Sequence, residues 1–202
     1  MKKTILNQMK NEINVDDYNH NKICITFVGG PGFGKSTISK MLCEKMNLFH
    51  CSNDYIARQI EKMDYDITDY EKRTELVSSI AFPFQDFLFE NSIDFVLDAN
   101  LMLYIDVIKK RCNSYNYKLF IIELEINHDE ALRRSLKRLE LKDKENLSDS
   151  DEADFKLFLR QYKDYKIIEN LENIFANIDM ERNDIEDQVD DIIKRINQLI
   201  NN

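Results

Sequence analysis

The run Ile23-Cys24-Ile25-Thr26-Phe27-Val28, continued by Gly29-Gly30-Pro31-Gly32-Phe33-Gly34-Lys35-Ser36-Thr37, decides the fold. Its first six residues are apolar or β-branched, the pattern of a strand buried on both faces. The next nine match G-x-x-x-x-G-K-[ST] in full, and Ile38, Met41, Leu42 and Met46 continue at helical spacing. A strand, a glycine-rich turn and a helix start, in that order, are the context in which this pattern is a phosphate-binding loop. The glycines let the backbone N–H groups of Gly30, Gly32, Phe33 and Gly34 turn inward around an anion, and the helix beginning near Lys35 aims its positive end at the same point. Lys35 is then placed for the β- and γ-phosphates, the Ser36 hydroxyl for Mg2+, and Thr37 for support of the first helical turn. The expected ligand is a nucleoside triphosphate.

Composition restricts the class further. At 202 residues the chain can bury one sizeable core but is too short for a motor domain with large appended modules. A hydrophobic fraction of 43% and a charged fraction of 32% describe a globular chain rather than a disordered or membrane one. No apolar stretch approaches the ~20 residues of a bilayer span. Met1-Lys2-Lys3 is followed by polar residues rather than a signal-peptide core, so a cytoplasmic protein with no membrane partner is expected. Cys24, Cys43, Cys51 and Cys112 lack C-x-x-C spacing, which predicts neither disulfides nor zinc. The formal net charge of -9 opposes an extended nucleic-acid partner, because phosphate contacts need clustered Lys and Arg.

Along the chain, strands alternate with helices. Residues 1–21 read as a polar extension with one short helix docking on the body, and 22–202 as a single domain with a lid at about 134–160. Strands are expected at 23–28, 48–51, 95–97, 118–124 and 174–178. A helix from Asp54 to about Met63 precedes a longer one capped by Thr68 or Asp69, running through Ser79 with a kink at Phe82 before Pro83. Further helices are expected over 103–115, from the capping box Asn127/Glu130 to Leu139, over 151–166, and from Asp184 to Leu199 behind the pair Asn183/Glu186. This alternation predicts an α/β fold in three layers, α/β/α, with a five-stranded parallel sheet and a helical lid.

Phosphoryl transfer needs a carboxylate near the acceptor and cations over the γ-phosphate, whereas a GTPase switch needs a base-reading N-K-x-D run, which is absent. Asp54 lies just after the second strand, at the carboxyl edge of the sheet; it either caps the following helix or serves the acceptor. Arg58, four residues on, either pairs with it on the surface or helps frame the acceptor, and Asn100 lies near the same edge. Asp98 ends the third strand, where a carboxylate behind Mg2+ belongs. Arg133-Arg134-Ser135-Leu136-Lys137-Arg138 is the densest basic run; Arg134 and Arg138 share a face that is either solvated or closes over the phosphates as part of a lid. The aromatic cluster Phe82 to Phe89 reads as core with a pocket edge.

Gly-x-Pro-Gly-x-Gly-Lys-Ser-Thr, Asp54 with Arg58, the run into Asp98-Ala99-Asn100-Leu101, Arg134 with Arg138, and Leu147-Ser148-Asp149 before a helix with Gln161 together resemble the small P-loop kinases of the nucleoside and nucleotide kinase superfamily. Within it the pattern is most similar to the branch of 5'-hydroxyl polynucleotide kinases and related ATP-dependent small-molecule kinases. The resemblance implies ATP with Mg2+, a catalytic set of Lys35, Asp54 and Arg138, Asp54 as the base for the acceptor proton, Arg58 on an acceptor phosphate, and Arg138 as the lid arginine. The family spacing D-x-x-R is not kept: Ala57 stands there and the arginine follows at 58. The lid is acidic (Asp143, Glu145, Asp149, Asp151, Glu152), which suits a small nucleoside-like or sugar-like acceptor better than a polynucleotide. A 5'-hydroxyl polynucleotide kinase and a nucleotide-dependent switch or slow NTPase are the alternatives.

Overall fold

The computed structural model of the chain describes residues 2–30, 32–61, 70–99, 104–140 and 173–201. Strand β1 (Ile23–Val28) is buried along its whole length. Ile23, Ile25 and Phe27 enter one apolar cluster and Cys24 another, so its two-residue alternation feeds a core on each face. Helix α1 (Lys2–Asn11) precedes it. Then follow α2 (Lys35–Met46), β2 (Phe49–Ser52), α3 (Asn53–Glu61), α4 (Tyr70–Glu90), β3 (Phe95–Asp98), α5 (Ile105–Ser114), β4 (Lys118–Glu125), α6 (His128–Glu140), β5 (Ala176–Asp179) and α7 (Ile185–Ile200).

The five strands form one parallel sheet in the order β2-β3-β1-β4-β5. Residues of α1, α3, α4 and α5 cover one face, and residues of α2, α6 and α7 the other, giving the expected three layers. The chain steps from β1 to the edge strand β2, returns to β3, then crosses β1 to reach β4. The carboxyl ends of β1 and β3 therefore bound the crevice where open α/β sheets take their ligands.

The N-terminal segment is stitched to the body at two places. Ile5 and Met9 of α1 are 1% exposed and join the core beneath α4. The buried Asp94 carboxylate accepts the N–H groups of Asn21 and Ile23 and the Asn21 amide, each at 2.9 Å. A buried carboxylate is tolerated only with such partners, so this cluster anchors the entry into β1.

Several local expectations are corrected. Helix α4 does not end at Ser79 but runs through Pro83 to Glu90. Proline cannot donate to the Ser79 carbonyl, and that loss is offset by burial of Ile80, Ala81, Phe84, Leu88 and Phe89 along the same helix. Phe84 and Phe89 are core, while Phe82 is covered by the Arg111 guanidinium at 5.2 Å and Phe87 by the Lys10 ammonium at 5.2 Å. Asn127 does cap α6, its Oδ1 accepting the Asp129 N–H at 2.9 Å. The capping box is not completed, because Glu130 turns to Arg133 and Arg134 and the Asn127 N–H goes to Glu181 instead. Helix α7 starts at Ile185, which moves Asn183 and Glu186 out of capping register; Asp184 takes Arg182 and Gln188. The last strand begins two residues later than expected, at Ala176. The helix expected over 151–166 lies outside the described residues. No described helix is long and apolar enough to cross a membrane.

The docking of α1 is testable. Replacing Met9 with Ala should cost about 2–5 kcal/mol in urea unfolding, as for other buried aliphatic truncations, whereas the exposed Lys3→Ala should cost under about 0.5 kcal/mol. Equal, small effects would mean that α1 does not belong to the core.

Candidate active site

The loop between β1 and α2 is shaped by glycines at positive φ. Gly32 has φ 80° and Gly34 φ 92°, conformations that side-chain-bearing residues rarely adopt. At Gly34 an added Cβ would also meet Met180 Cε at 2.6 Å. Phe33, between them, turns its ring into the core at 3% exposure, so any ligand contact it makes is through the backbone. Helix α2 then starts at Lys35, and the first-turn N–H groups of Lys35 and Ser36 have no acceptor within the helix. The Ser36 and Thr37 side chains are exposed there.

The Lys35 ammonium folds back on the loop, donating to the carbonyls of Gly29 and Gly30 at 2.8 Å each. Burial lowers its pKa from 10.5 to about 8, against the opposing pull of the Asp98 and Asp54 charges. Both acids therefore lie within electrostatic reach of this one cation. Asp98, 9% exposed, ends β3, and its Oδ2 lies 3.0 Å from His50 Nε2 on β2. Burial, then the Asp98 charge, pushes the thiols of Cys43 and Cys51 up to about 12, so they add no negative charge beside it.

Asp54 is exposed in the first turn of α3, but it is not the cap. Ser52 Oγ accepts the Asp54 and Tyr55 N–H groups at 3.1 and 3.4 Å, so the capping alternative for Asp54 is corrected. Its carboxylate is left for other work. Arg58 is exposed on the same side of the helix, and among the described residues no ion pair joins it to Asp54. Ala57, at the position the family gives to arginine, is 2% exposed and faces the core, which places the cation at 58 instead.

Arg134 on α6 donates to Glu130 at 2.8 Å and to the Met180 carbonyl at 3.1 Å. Met180 is the residue whose methyl lies against Gly34, so Arg134 is tethered beside the phosphate loop. Hydrogen bonds from Arg133 and Arg134 hold the Glu130 carboxyl down to about 2. Arg138 lies one turn later in α6 with its side chain outside the described ones, and Asn100 also lies outside the described residues. Among the described residues no cluster of three or more His, Cys, Asp or Glu is arranged to hold a metal. The oxygen donors here include the Ser36 hydroxyl and the Asp98 carboxylate, hard ligands of the kind Mg2+ takes while keeping water and phosphate oxygens for the rest of its shell.

Sequence reading missed His50, Ser52 and Met180. Alternation along β2 could have placed His50 and Ser52 on one face, but their meeting with Asp98 depends on β2 pairing with β3, with Ser52 opposite Asp98.

Solved structures of matching fold include a kinase candidate from Chloroflexus aurantiacus J-10-fl, with TM-score 0.64, 14% identity, and coverage of 89% of this chain and 98% of that one. A protein designated APE1195 matches with TM-score 0.63 and 18% identity, covering 91% and 99%. The APS kinase CysC of Mycobacterium tuberculosis, solved in complex with AMPPNP and APS, matches with TM-score 0.54 and 14% identity, covering 87% and 97%. The likeness is one of fold. No family model matches the chain, and no curated protein does.

The buried ammonium has a measurable signature. A lysine with a lowered folded pKa binds fewer protons folded than unfolded between about 8 and 10.5, so the cost of burying its charge is full below about pH 8 and is lost as pH rises toward 10.5. Relative to Lys35→Met, the parent should gain about 1–3 kcal/mol of unfolding free energy across that window. Parallel pH–stability curves for the two proteins would contradict a buried Lys35 ammonium.

Proposed function

We propose that this chain is an ATP-dependent P-loop kinase that transfers the γ-phosphoryl group to a hydroxyl or phosphate of a small nucleoside-like or sugar-like acceptor. The observation that carries the reading is the convergence on Lys35: a phosphate-loop lysine at a helix start, with one acid at the end of β3 and another in the first turn of α3 acting on the same ammonium. A site built only to hold a triphosphate does not need the second, exposed acid. That an APS kinase of the same fold was solved in complex with AMPPNP and APS supports this reading.

In this reading Gly30, Gly32, Phe33 and Gly34 cradle the phosphates through their N–H groups, Lys35 holds the β- and γ-oxygens, and Thr37 supports the turn. Ser36, with Asp98 behind it, would hold Mg2+, which would supply charge neutralisation at the phosphates. The acceptor oxygen attacks the γ-phosphorus, the bond to the bridging oxygen breaks to leave ADP, and Asp54 receives the hydroxyl proton. Arg58 and Asn100 are assigned to binding the acceptor. Arg134 and Arg138 supply cationic charge from the lid side, where excluding water favours transfer over hydrolysis. Lys35 reaches this state by exchanging the Gly29 and Gly30 carbonyls for phosphate oxygens.

Screening γ-phosphate transfer to nucleosides, nucleotides, sugars and 5'-hydroxyl oligonucleotides tests the proposal. Turnover that no acceptor stimulates would favour a slow NTPase or switch, and transfer confined to oligonucleotides would favour the polynucleotide kinase. Lys35→Ala should abolish transfer and weaken ATP binding with the fold retained. Asp54→Asn should slow transfer by about 10^2 to 10^4 without loss of stability, since Ser52 keeps the cap. Arg138→Ala should lower the rate by on the order of 10^3, with a smaller change in substrate affinity. Parental rates in the Asp54 or Arg138 variant would remove that residue from the mechanism.

A further inference from the structure

We infer that His50 is a positioning residue for the metal side of this site: its imidazole holds the Asp98 carboxylate in the orientation from which that acid supports the Mg2+ bound with the triphosphate. The inference rests on the reading of Asp98 given above.

Phe49 and Cys51 of β2 pack toward the core beneath α3 and α4, so the alternate residues His50 and Ser52 lie on the other face of the strand. In register His50 pairs with Val96 and Ser52 with Asp98, which makes His50 and Asp98 diagonal neighbours on adjacent strands. Val96 belongs to the cluster under α2, the helix that begins with Lys35 and Ser36. The His50 Nε2 proton is donated to Asp98 Oδ2 across 3.0 Å. The Asp98 side chain is 7% exposed and that of His50 31%, so the bond seals the acid from the edge of the sheet without burying the imidazole.

The obvious cation does not do this work. Lys35 Nζ is committed to the Gly29 and Gly30 carbonyls, and among the described residues His50 is the side chain that bonds Asp98 directly. A carboxylate tethered through one oxygen cannot rotate freely, and the other oxygen is presented at a defined angle. Mg2+ demands near-ideal octahedral geometry and gives up water reluctantly, so the orientation of such an acid matters more for it than for a looser cation. Partners that hold a metal-site carboxylate characteristically change metal affinity by about 10–100-fold when removed.

The test uses the full chain and the non-hydrolysable ATP analogue AMPPNP, titrated calorimetrically in chelator and again in excess MgCl2, for the parent, His50→Leu, His50→Asn and His50→Gln. Metal-free affinity should be the same in all four. The tightening produced by Mg2+ should fall by about 10–100-fold in His50→Leu and in His50→Asn, whose amide is too short to reach Asp98. It should be largely retained in His50→Gln, which can place a donor near the position of Nε2. If His50→Leu fails to fold, the Asn and Gln pair decides. Parental Mg2+ enhancement in His50→Leu or His50→Asn overturns the inference, as does an equal loss of metal-free binding, which would mark a purely structural contact. Failure of the parent itself to bind AMPPNP would overturn the triphosphate reading and this inference with it, an outcome distinct from loss of the Mg2+ effect alone.

Discussion

Burial of β1 on both faces and hydrogen bonding along both its edges is the constraint on which the rest of the molecule depends. A strand so enclosed leaves the sheet only at its ends. At the carboxyl end it must turn at once into a helix covering one face, and a turn that tight admits residues only where the backbone can take positive φ, as Gly32 and Gly34 do. The same geometry strips side chains from the turn and points helix N–H groups into it. The proposed anion site is thus a by-product of how the central strand connects to its first helix, with Lys35 as the added charge.

That charge is placed against a cost. Lys35 is drawn partly out of water and its proton held more weakly, while two loop carbonyls and the fields of Asp98 and Asp54 keep the ammonium form accessible. The proposed triphosphate would relieve this tension, since it would replace two neutral carbonyls with anionic oxygens. Asp98 stands in a similar balance, with His50 supplying the local compensation a nearly buried acid requires. Preorganisation here consists of groups whose resting partners are good enough to fold and weaker than the ligand that displaces them.

The two edges of the sheet divide the labour. At the amino edge, Asp94 gathers three N–H donors, contacts that fix the entry into β1, while α1 buries Ile5 and Met9 against the α3 and α4 face. At the carboxyl edge, Asp54 and Arg58 are exposed, Ser36 and Thr37 face outward, and Arg134 is held, among the described residues, through Glu130 and the Met180 carbonyl. Tyr55 lies beside Asp54 on α3, and its hydroxyl donates to Glu12 at 2.9 Å, so the N-terminal segment also steadies the element that carries Asp54.

By itself the sequence determined the strands, their parallel arrangement and the glycine-shaped turn from β1 into α2, because these rest on short-range patterns: apolar runs, glycine spacing and helical periodicity. It also located Asp98 and Asp54, since a polar residue ending an apolar run marks the edge of a sheet. Only the tertiary structure decided which local option prevailed where neighbours compete. Pro83 stays inside α4 because burial on that helix outweighs one lost hydrogen bond. Ser52 rather than Asp54 caps α3, and the Asn127 N–H that a capping box would give to Glu130 goes instead to Glu181, 54 positions away. The His50–Asp98 contact joins residues 48 positions apart through the pairing of β2 with β3. Such a contact depends on strand order and register, which arise from the packing of the whole sheet and leave no mark in local spacing.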